Sequence, residues 1–276
     1  MRVLFCGVRG STPAPGAAFV RYGGHTSCVA LAHDGGSPRL VLDAGTGLQN
    51  LTHHLDGRPF LGTILLGHLH WDHTHGLPFF AAGDRPDSDV TLAMPAQGDP
   101  TEVLERAFSP PHFPITPREL RGRWRFTALE LGDHHIEGFD VTAAEIPHKG
   151  GRTFGYRISD GRTSLAYLSD HGPVAAGEGP QGFGEYHGAA MELAGGVDLL
   201  VHDAQHTAEE FPARRHFGHS AVDYAVGLAR AAGARTLALY HHDPSRTDDL
   251  VDAMVGAHQD GTVEVVAPAE GLTIDL

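Results

Sequence analysis

The sequence predicts two β-sheets that face each other, with helices packed on their outer faces. Most segments of the chain are short apolar stretches closed by Gly, Asp or Pro, which is typical of β-strands. The few helical patterns come late in each half, whereas a doubly wound parallel sheet alternates strands and helices throughout. No Pro-, Ser- or Gly-rich linker separates the halves, so residues 1–276 are expected to form one domain.

The individual elements follow in chain order. The predicted strands are Arg2–Cys6, Cys28–Ala32, Leu40–Asp43, Thr63–Leu66, Phe139–Ile146, Thr153–Ile158, Ser164–Leu168, Val197–Val201, Thr236–Tyr240 and Thr262–Val266. The predicted helices are Gly45–Leu55, Ser220–Ala232 and Asp248–Ala257. Within these, Thr63–Leu66 is continuously apolar, as expected for a strand covered on both faces. Ser220 and Asp223 form an S-x-x-D pair that predicts a capped helix N-terminus.

Composition excludes several classes of protein. The chain is 41% apolar and 20% charged, which is typical of a folded globular protein. No apolar run is long enough to span a membrane and no signal peptide is evident, so a cytoplasmic location is expected. Acidic residues outnumber basic ones by 34 to 20, and the resulting formal charge of −14 disfavours broad nucleic-acid binding. The 21 histidines favour a metal site.

The run from His68 to His73, with the sequence HLHWDH, is the strongest local signal. It directly follows the buried strand Thr63–Leu66. Because side chains alternate along an extended chain, His68, His70 and Asp72 are expected on one side, with His73 reaching the same region as the chain turns. Imidazole and carboxylate groups together suit Zn²⁺, with Mn²⁺ or Fe²⁺ as options.

Three further predicted strands end at similar residues. Phe139–Ile146 leads to His148, Ser164–Leu168 leads to Asp170 and His171, and Thr236–Tyr240 leads to His241 and His242. Metal and catalytic sites are commonly built from loops that a rigid scaffold brings together. We therefore expect these residues to converge on the HLHWDH run.

The sequence resembles the metallo-β-lactamase superfamily, and within it the ribonuclease Z-like and cyclic-phosphodiesterase-like branch. The resemblance covers nearly the whole chain. The segments that carry it are Gly7–Pro13, Tyr22–Cys28, Asp43–Gly47, His68–His73, Asp170, His202–Ala204, Gly218–Ser220 and His241. It implies a four-layer αββα sandwich with two divalent metal ions at one edge.

The resemblance also assigns the ligands. By position, the first metal would be held by His68, His70 and His148. The second would be held by Asp72, His73 and His241, and Asp170 would bridge the two. His241 is preferred to His242 because the last ligand of the family precedes a short X-X-Pro turn, as His241 does here.

Several roles around the metals follow from the same resemblance. His219 matches a family histidine that acts as general acid, Asp72 would help to orient the nucleophile, and Asp203 would position His219 or a ligand histidine. Asp43 is expected to accept hydrogen bonds beneath the site.

Other residues have two open interpretations. Arg9 would contact a substrate anion or pair with an acid, and Trp71 would pack into the core or form the pocket wall. Lys149 and Arg152 are candidates for phosphate contact. His171 and His206 are expected to line the pocket. His25 stands where related sequences tend to carry Asn, which would alter only a supporting hydrogen bond.

A phosphodiesterase acting on a small or cyclic diester through a metal-bridging hydroxide is the favoured function. A tRNA-processing ribonuclease Z is disfavoured by the negative charge, and because only residues 149–169 separate His148 from Asp170, which leaves no room for a long basic arm. A lactone or ester hydrolase and a non-catalytic metal-binding module stay open as alternatives. Ribonuclease Z-like proteins are often dimers, so the resemblance is also compatible with a homodimer.

Overall fold

The computed structural model describes residues 1–173, 179, 182–259 and 261–276, and within these residues it has two seven-stranded sheets. The strands of the first sheet, in spatial order, are β14 (Thr273–Asp275), β1 (Arg2–Gly7), β2 (Cys28–Ala32), β3 (Leu40–Leu42), β4 (Leu61–Leu65), β5 (Asp89–Pro95) and β6 (Arg123–Leu129). The strands from β3 to β6 are parallel, and the others pair antiparallel.

The second sheet has the same mixed construction. Its strands, in spatial order, are β13 (Glu264–Val266), β12 (Thr236–Tyr240), β11 (Leu199–Asp203), β10 (Ser164–Leu168), β9 (Phe154–Ser159), β8 (Phe139–Glu145) and β7 (Gly132–Ile136). The strands from β10 to β13 are parallel, and β7 to β10 form an antiparallel meander.

Helices cover the outer faces of both sheets. They are α1 (Leu48–Leu51), α2 (Pro100–Glu105), α3 (Gly188–Ala194), α4 (Phe211–Arg214), α5 (Val222–Ala232) and α6 (Asp248–Ala257), with short 3-10 segments between them. Residues of α1 and α2 share a buried cluster with the outer face of the first sheet. Residues of α3, α5 and α6 do so with the second sheet. The predicted αββα order of layers is confirmed.

The main core lies between the two sheets. Along β1, Val3 and Phe5 point into this core, whereas Leu4 and Cys6 point outward to the helix layer. This alternation follows from the two-residue period of a strand. Because both faces are buried, such strands are apolar throughout.

Three buried tyrosines of the second sheet fix it to the first. Tyr156 donates a hydrogen bond to the Leu66 carbonyl oxygen at 2.6 Å, and Tyr240 donates to the Gly7 carbonyl oxygen at 2.6 Å. Tyr167 donates to Asp43 at 2.8 Å. Each such bond contributes about 1 kcal/mol net. All three join the sheets near the ends of β1, β3 and β4, which fixes the loops that follow these strands.

The predicted strands are confirmed to within a few residues at each boundary, but other strands were missed. Of these, β6, β7 and β14 lie at sheet edges. An edge strand has an exposed face, and the burial of β6 alternates accordingly along Arg123–Leu129. Such a strand lacks the continuous apolar signal that identifies a central one.

Two predicted helix starts are wrong. The segment Gly45–Leu55 is helical only from Leu48, because the Gly45 and Gly47 amides donate to the carbonyl oxygens of Ser27 and Thr26 in the adjacent chain. Helix α5 begins at Val222 with no side-chain cap, because the Ser220 hydroxyl donates instead to the His171 carbonyl oxygen. In the described part of the chain, no helix has the length and apolar character needed to cross a membrane.

Candidate metal centre

The candidate site lies at one edge of the two sheets, where several strands end. His68 and His70 follow β4, His148 follows β8, Asp170 follows β10 and His241 follows β12. The loops after these strands bring the side chains together, as the sequence predicts. His68, Asp170 and His241 are buried, and His70 and His148 are partly buried.

A 3-10 turn at Trp71–His73 redirects the chain after His70. The alternation argument for Asp72 therefore fails, because alternation applies only to extended chain. Asp72 groups instead with its neighbour His73. Gly45 packs against this turn so closely that a Cβ there would lie 2.1 Å from the Asp72 carbonyl oxygen.

One cluster of donor atoms comprises His68, His70, His148 and Asp170. The Nε2 atoms of His68 and His148 each lie 3.6 Å from Asp170 Oδ2. His148 Nδ1 donates to the Gly218 carbonyl oxygen at 2.7 Å, so its Nε2 is directed into the cluster. Among the residues that the structure describes, neither ring nitrogen of buried His68 has a hydrogen-bond partner. Burial is the main cause that lowers the pKa of His68, and it favours the neutral form that binds metals.

The second cluster comprises Asp72, His73, Asp170 and His241. His241 Nε2 lies 3.1 Å from Asp72 Oδ2 and 3.3 Å from Asp170 Oδ1. His73 Nε2 lies 3.0 Å from Asp170 Oδ1. His241 is seated against Gly10, where a Cβ would lie 2.3 Å from the ring Nδ1. The residues of the two clusters coincide with the two ligand sets that the sequence predicts.

Asp170 belongs to both clusters and directs one carboxylate oxygen to each. Its Oδ2 faces His68 and His148, and its Oδ1 faces His73 and His241. Burial opposes the charged carboxylate, but His241 and His73 hold the pKa of Asp170 well below its usual value. Buried imidazoles without partners and a carboxylate shared between two clusters fit a pair of divalent cations.

Asp43 supports this arrangement from beneath. It is fully buried, and it accepts hydrogen bonds from His73 Nδ1 at 2.7 Å, the Gly67 amide at 2.7 Å, Tyr167 at 2.8 Å and Ser169 at 3.2 Å. Its backbone φ of 62° lies in the left-handed region, which Asp tolerates better than most residues. The carboxylate thereby fixes the His73 tautomer, so that Nε2 is directed into the second cluster.

We expect Asp43→Asn to lower metal affinity by about 10- to 100-fold and the free energy of unfolding by about 1–3 kcal/mol. Asparagine keeps the shape and tolerates the same φ, but its amide nitrogen cannot accept from His73. Zinc titration and urea unfolding measure the two effects. The control is Asp56→Asn, an exposed aspartate with φ of 51°. Equal affinities in Asp43→Asn and the control would contradict a supporting role.

His219 and Asp203 form a hydrogen-bonded pair beside the clusters. His219 Nδ1 donates to Asp203 Oδ2 at 2.7 Å. Asp203 also accepts from the Gln205 amide at 3.0 Å. Burial opposes its charge, but His219 holds the pKa of Asp203 below its usual value. Because Asp203 holds the Nδ1 proton, the Nε2 of His219 is the atom left for other contacts.

A cavity of about 320 Å³ opens onto this centre. Its lining residues are Ser11, His70, Trp71, Asp72, Asp170 and His219. Trp71 is 67% exposed, so its predicted alternative of packing into the core is wrong and it forms the cavity wall. The sequence alone assigns no role to Ser11. Its amide donates to Asp72 Oδ2 at 2.7 Å, and its φ of 63° marks the turn that makes this possible.

The structure brings His241 into the centre and leaves His242 outside it. His242 is fully buried and lies edge-on to Tyr22, with 6.2 Å between ring centroids. Burial, followed by Arg9 and Arg246, lowers the pKa of His242 to about 3. His241 has a φ of 59°, and this left-handed conformation directs the two adjacent rings to different sites.

The three cationic residues considered for substrate contact have partners within the protein. Arg9 is fully buried; it donates to the Gly23 and Arg246 carbonyl oxygens and lies 3.5 Å from Asp248, as the acid-pairing alternative predicts. Arg152 pairs with Glu145 at 2.9 Å, and Lys149 donates to the His216 carbonyl oxygen at 3.3 Å. None of the three lines the cavity.

His171 and His206 also do not line the cavity, so that prediction is wrong. His171 follows Asp170 in the chain and points the other way, against Tyr224, with 5.6 Å between ring centroids. His206 is buried. His25 Nδ1 lies 3.2 Å from Thr46 Oγ1, in the hydrogen-bonding role expected for it.

Comparison with known proteins places this fold and site in a family. The profile described as "Beta-lactamase superfamily domain" matches residues 38–242, which include the site residues from Asp43 to His241. The chain belongs to the metallo-β-lactamase superfamily. Within it, the chain falls in the ribonuclease Z-like branch. It is 25% identical to ribonuclease Z of Haloarcula marismortui, over 99% of this chain and 96% of that protein. It is 30% identical to ribonuclease BN of Escherichia coli O6:K15:H31, over 79% and 83%.

Solved structures show the same superfamily fold. The metallo-β-lactamase fold protein YhfI from Bacillus subtilis superposes with a TM-score of 0.73 at 18% identity, over 99% of this chain and 98% of that one. A diphosphatase from the PhnP family superposes with a TM-score of 0.72 at 17% identity, over 100% and 97%. At such identities the likeness concerns the fold. Hydrolase chemistry on two divalent metals is typical of this fold and donor set.

Proposed function

We propose that this chain is a dinuclear metal-dependent phosphodiesterase acting on a small or cyclic phosphodiester. Zn²⁺ is the first choice of metal, with Mn²⁺ or Fe²⁺ as options. His68, His70 and His148 would hold one ion, and Asp72, His73 and His241 the other. The observation that carries the proposal is Asp170, whose two oxygens face the two clusters. A carboxylate in this bridging position suits the hard, oxygen-rich chemistry of phosphoesters.

The residues of the two clusters would hold two divalent cations, which would supply an activated water molecule and positive charge for the phosphoryl oxygens. The chain's own residues complete the reaction. Asp72, held by the Ser11 amide, orients the nucleophile at the cavity floor. His219 lines the same cavity and donates a proton from Nε2 to the leaving oxygen, while Asp203 accepts the hydrogen bond from Nδ1 and orients the ring.

A small substrate fits the chain better than tRNA does. The formal charge of −14 opposes a long polyanion, whereas a small diester needs only local positive charge. Residues 149–169, where a tRNA-gripping arm would lie, contain strand β9, strand β10 and short connections. The relatives named ribonuclease Z and the diphosphatase neighbour share phosphorus–oxygen bond cleavage with this proposal.

The deciding experiment is hydrolysis of bis(p-nitrophenyl) phosphate by protein of known metal content. We expect turnover that requires about two metal ions per chain, and stronger activity on a panel of cyclic and linear diesters than on precursor tRNA with a 3′ trailer. The matched control is His135→Gln, since His135 is exposed on β7. Preferred cleavage of the tRNA would establish the nuclease instead. Full metal loading without turnover of either would favour an ester hydrolase or a binding module.

A further inference from the structure

A second cavity, of about 470 Å³, adjoins the metal centre. Trp71 lines both cavities, so they share a wall. Aromatic side chains dominate the second cavity, which we call the aromatic recess and define by Trp71, His75, Phe79, Phe108, Phe113 and Gln49. Its volume lies within the range of small-molecule sites. A phosphate at the metal centre would therefore have an apolar recess within reach of one of its ester groups.

The rings of the recess contact one another in two groups. Trp71 stacks on His75, with 5.5 Å between centroids and 19° between planes. Phe79 and Phe108 each meet Phe113 edge-on, at 5.7 Å and 6.0 Å. These contacts order the rings before any ligand binds, and ordered aromatic surfaces are suited to stacking on a flat group.

Two of these rings are unusually open to water. Trp71 is 67% exposed and Phe79 is 54% exposed, although both lie beside a concave surface. An isolated exposed aromatic needs no explanation, but two that face one recess mark a binding surface. A bound aromatic group would cover apolar area on both and gain stacking contacts.

The charge of the recess narrows the choice of ligand. Among the described residues that line it, none is Lys, Arg, Asp or Glu. A charged group would lose its hydration there without gaining a partner. Thr46, Gln49 and His112 bring polar side chains to its lining. The recess therefore suits a planar, uncharged ring with polar edge atoms.

We propose that the aromatic recess binds a planar aromatic ester group of the substrate, such as a nucleobase or an aryl ring, while the phosphate occupies the metal centre. The inference rests on the proposed function only in taking phosphate as the group that the centre binds. It makes Trp71 and Phe79 specificity-determining residues. It also distinguishes the substrate from a plain sugar or alkyl diester, which has no ring to stack.

Binding of two phosphate monoesters tests the inference without turnover. Phenyl phosphate and methyl phosphate have the same head group and one organic group each, and calorimetry on Zn²⁺-loaded protein measures both. We expect phenyl phosphate to bind about tenfold tighter, since stacking on one aromatic side chain contributes about that factor or more. In a Trp124→Phe protein, which keeps Trp71, phenyl phosphate should quench fluorescence and methyl phosphate should not.

Substitutions test whether the preference for phenyl phosphate over methyl phosphate arises in the aromatic recess. We expect Phe79→Ala and Trp71→Ala each to reduce the tenfold preference to about threefold or less. Phe79 lies outside the cavity of the metal centre, so Phe79→Ala should change the affinity for methyl phosphate little. Trp71 lies between the candidate ligands His70 and Asp72, so metal content is measured for every variant. Phe79 lies outside the segment from His68 to His73, so Phe79→Ala tests the recess without a change next to a ligand. The matched control is Phe217→Ala, which removes a ring of similar exposure, 53%, outside the recess.

Equal affinities for the two monoesters, or a preference that survives both substitutions, would overturn the inference even if diester hydrolysis is observed. A preference lost with Phe79 in a protein that hydrolyses no diester would instead support the recess and contradict the proposed function. A dimer that Phe79→Ala dissociates, seen by sedimentation together with equal affinities, would assign the recess to a second copy of the chain.

Discussion

The Asp170→Asn variant is expected to lose hydrolysis of bis(p-nitrophenyl) phosphate by about 10³-fold or more, and to retain at most one tightly bound metal ion. Asparagine has the same shape but lacks the charge, and it offers one acceptor atom where Asp170 offers one oxygen to each cluster. Two metal ions stabilise the charge on the phosphoryl oxygens in the transition state by several kcal/mol, and a loss of about 4 kcal/mol corresponds to a 10³-fold lower rate.

Metal analysis and steady-state kinetics on the same preparation check this result. A thermal scan gives an independent readout, because a metal that binds only the folded state raises the melting temperature. We expect Zn²⁺ to raise it clearly in the parent protein and much less in Asp170→Asn. The control is Asp140→Asn, an exposed aspartate on β8. Two ions and normal turnover in Asp170→Asn would show that Asp170 does not bridge.

The His219→Gln variant should separate substrates by their leaving group. We expect kcat for a diester with an alkyl leaving group to fall by about 10²- to 10⁴-fold, as loss of a general acid does. p-Nitrophenolate leaves without being protonated, so its diester should lose less than about tenfold. Metal content should stay at two ions per chain. Asp203→Asn should show the same dependence on the leaving group with a smaller loss of kcat. This variant keeps the His219 ring but removes the carboxylate that accepts the hydrogen bond from its Nδ1–H.

Two outcomes would contradict this role for His219. Equal loss on both substrates would show that His219 acts before the leaving-group step. Loss of a metal ion would make it a ligand, since Asp203, His219 and His241 also lie close enough to hold an ion. His216→Gln is the matched control, because His216 is an exposed histidine three positions earlier. It should leave both substrates and the metal content unchanged.

Much of the centre can be predicted from sequence because its parts are local. The run from His68 to His73 follows a buried strand, and an apolar strand with polar ligands at its end is readable in one short window. His148, Asp170 and His241 each follow a predicted strand in the same way. Strand ends that meet at one sheet edge bring such residues together. The sequence therefore determined the layers of the fold and which residues converge, and the resemblance to the family divided these residues into two ligand sets.

Where the chain is not regular, the sequence was less informative. The alternation of side chains along a strand could not predict the 3-10 turn at Trp71–His73, which sets the direction of Asp72; only the family resemblance grouped Asp72 with His73. Edge strands such as β6 and β7 were missed because their exposed faces carry polar residues. The sequence does not decide between the two roles of Arg9, because Asp248, the acid beside it in the fold, is distant in sequence.

Only the tertiary structure decided which atoms face one another. That Asp170 directs a different oxygen to each cluster, that Asp203 holds His219, and that Trp71 stands between two cavities are properties of side chains from distant segments. The physical reason is the distance along the chain over which each effect acts. Burial and periodicity act over a few neighbouring residues and leave a trace in the sequence, whereas hydrogen-bond geometry and cavity shape arise only when both sheets and their loops have packed.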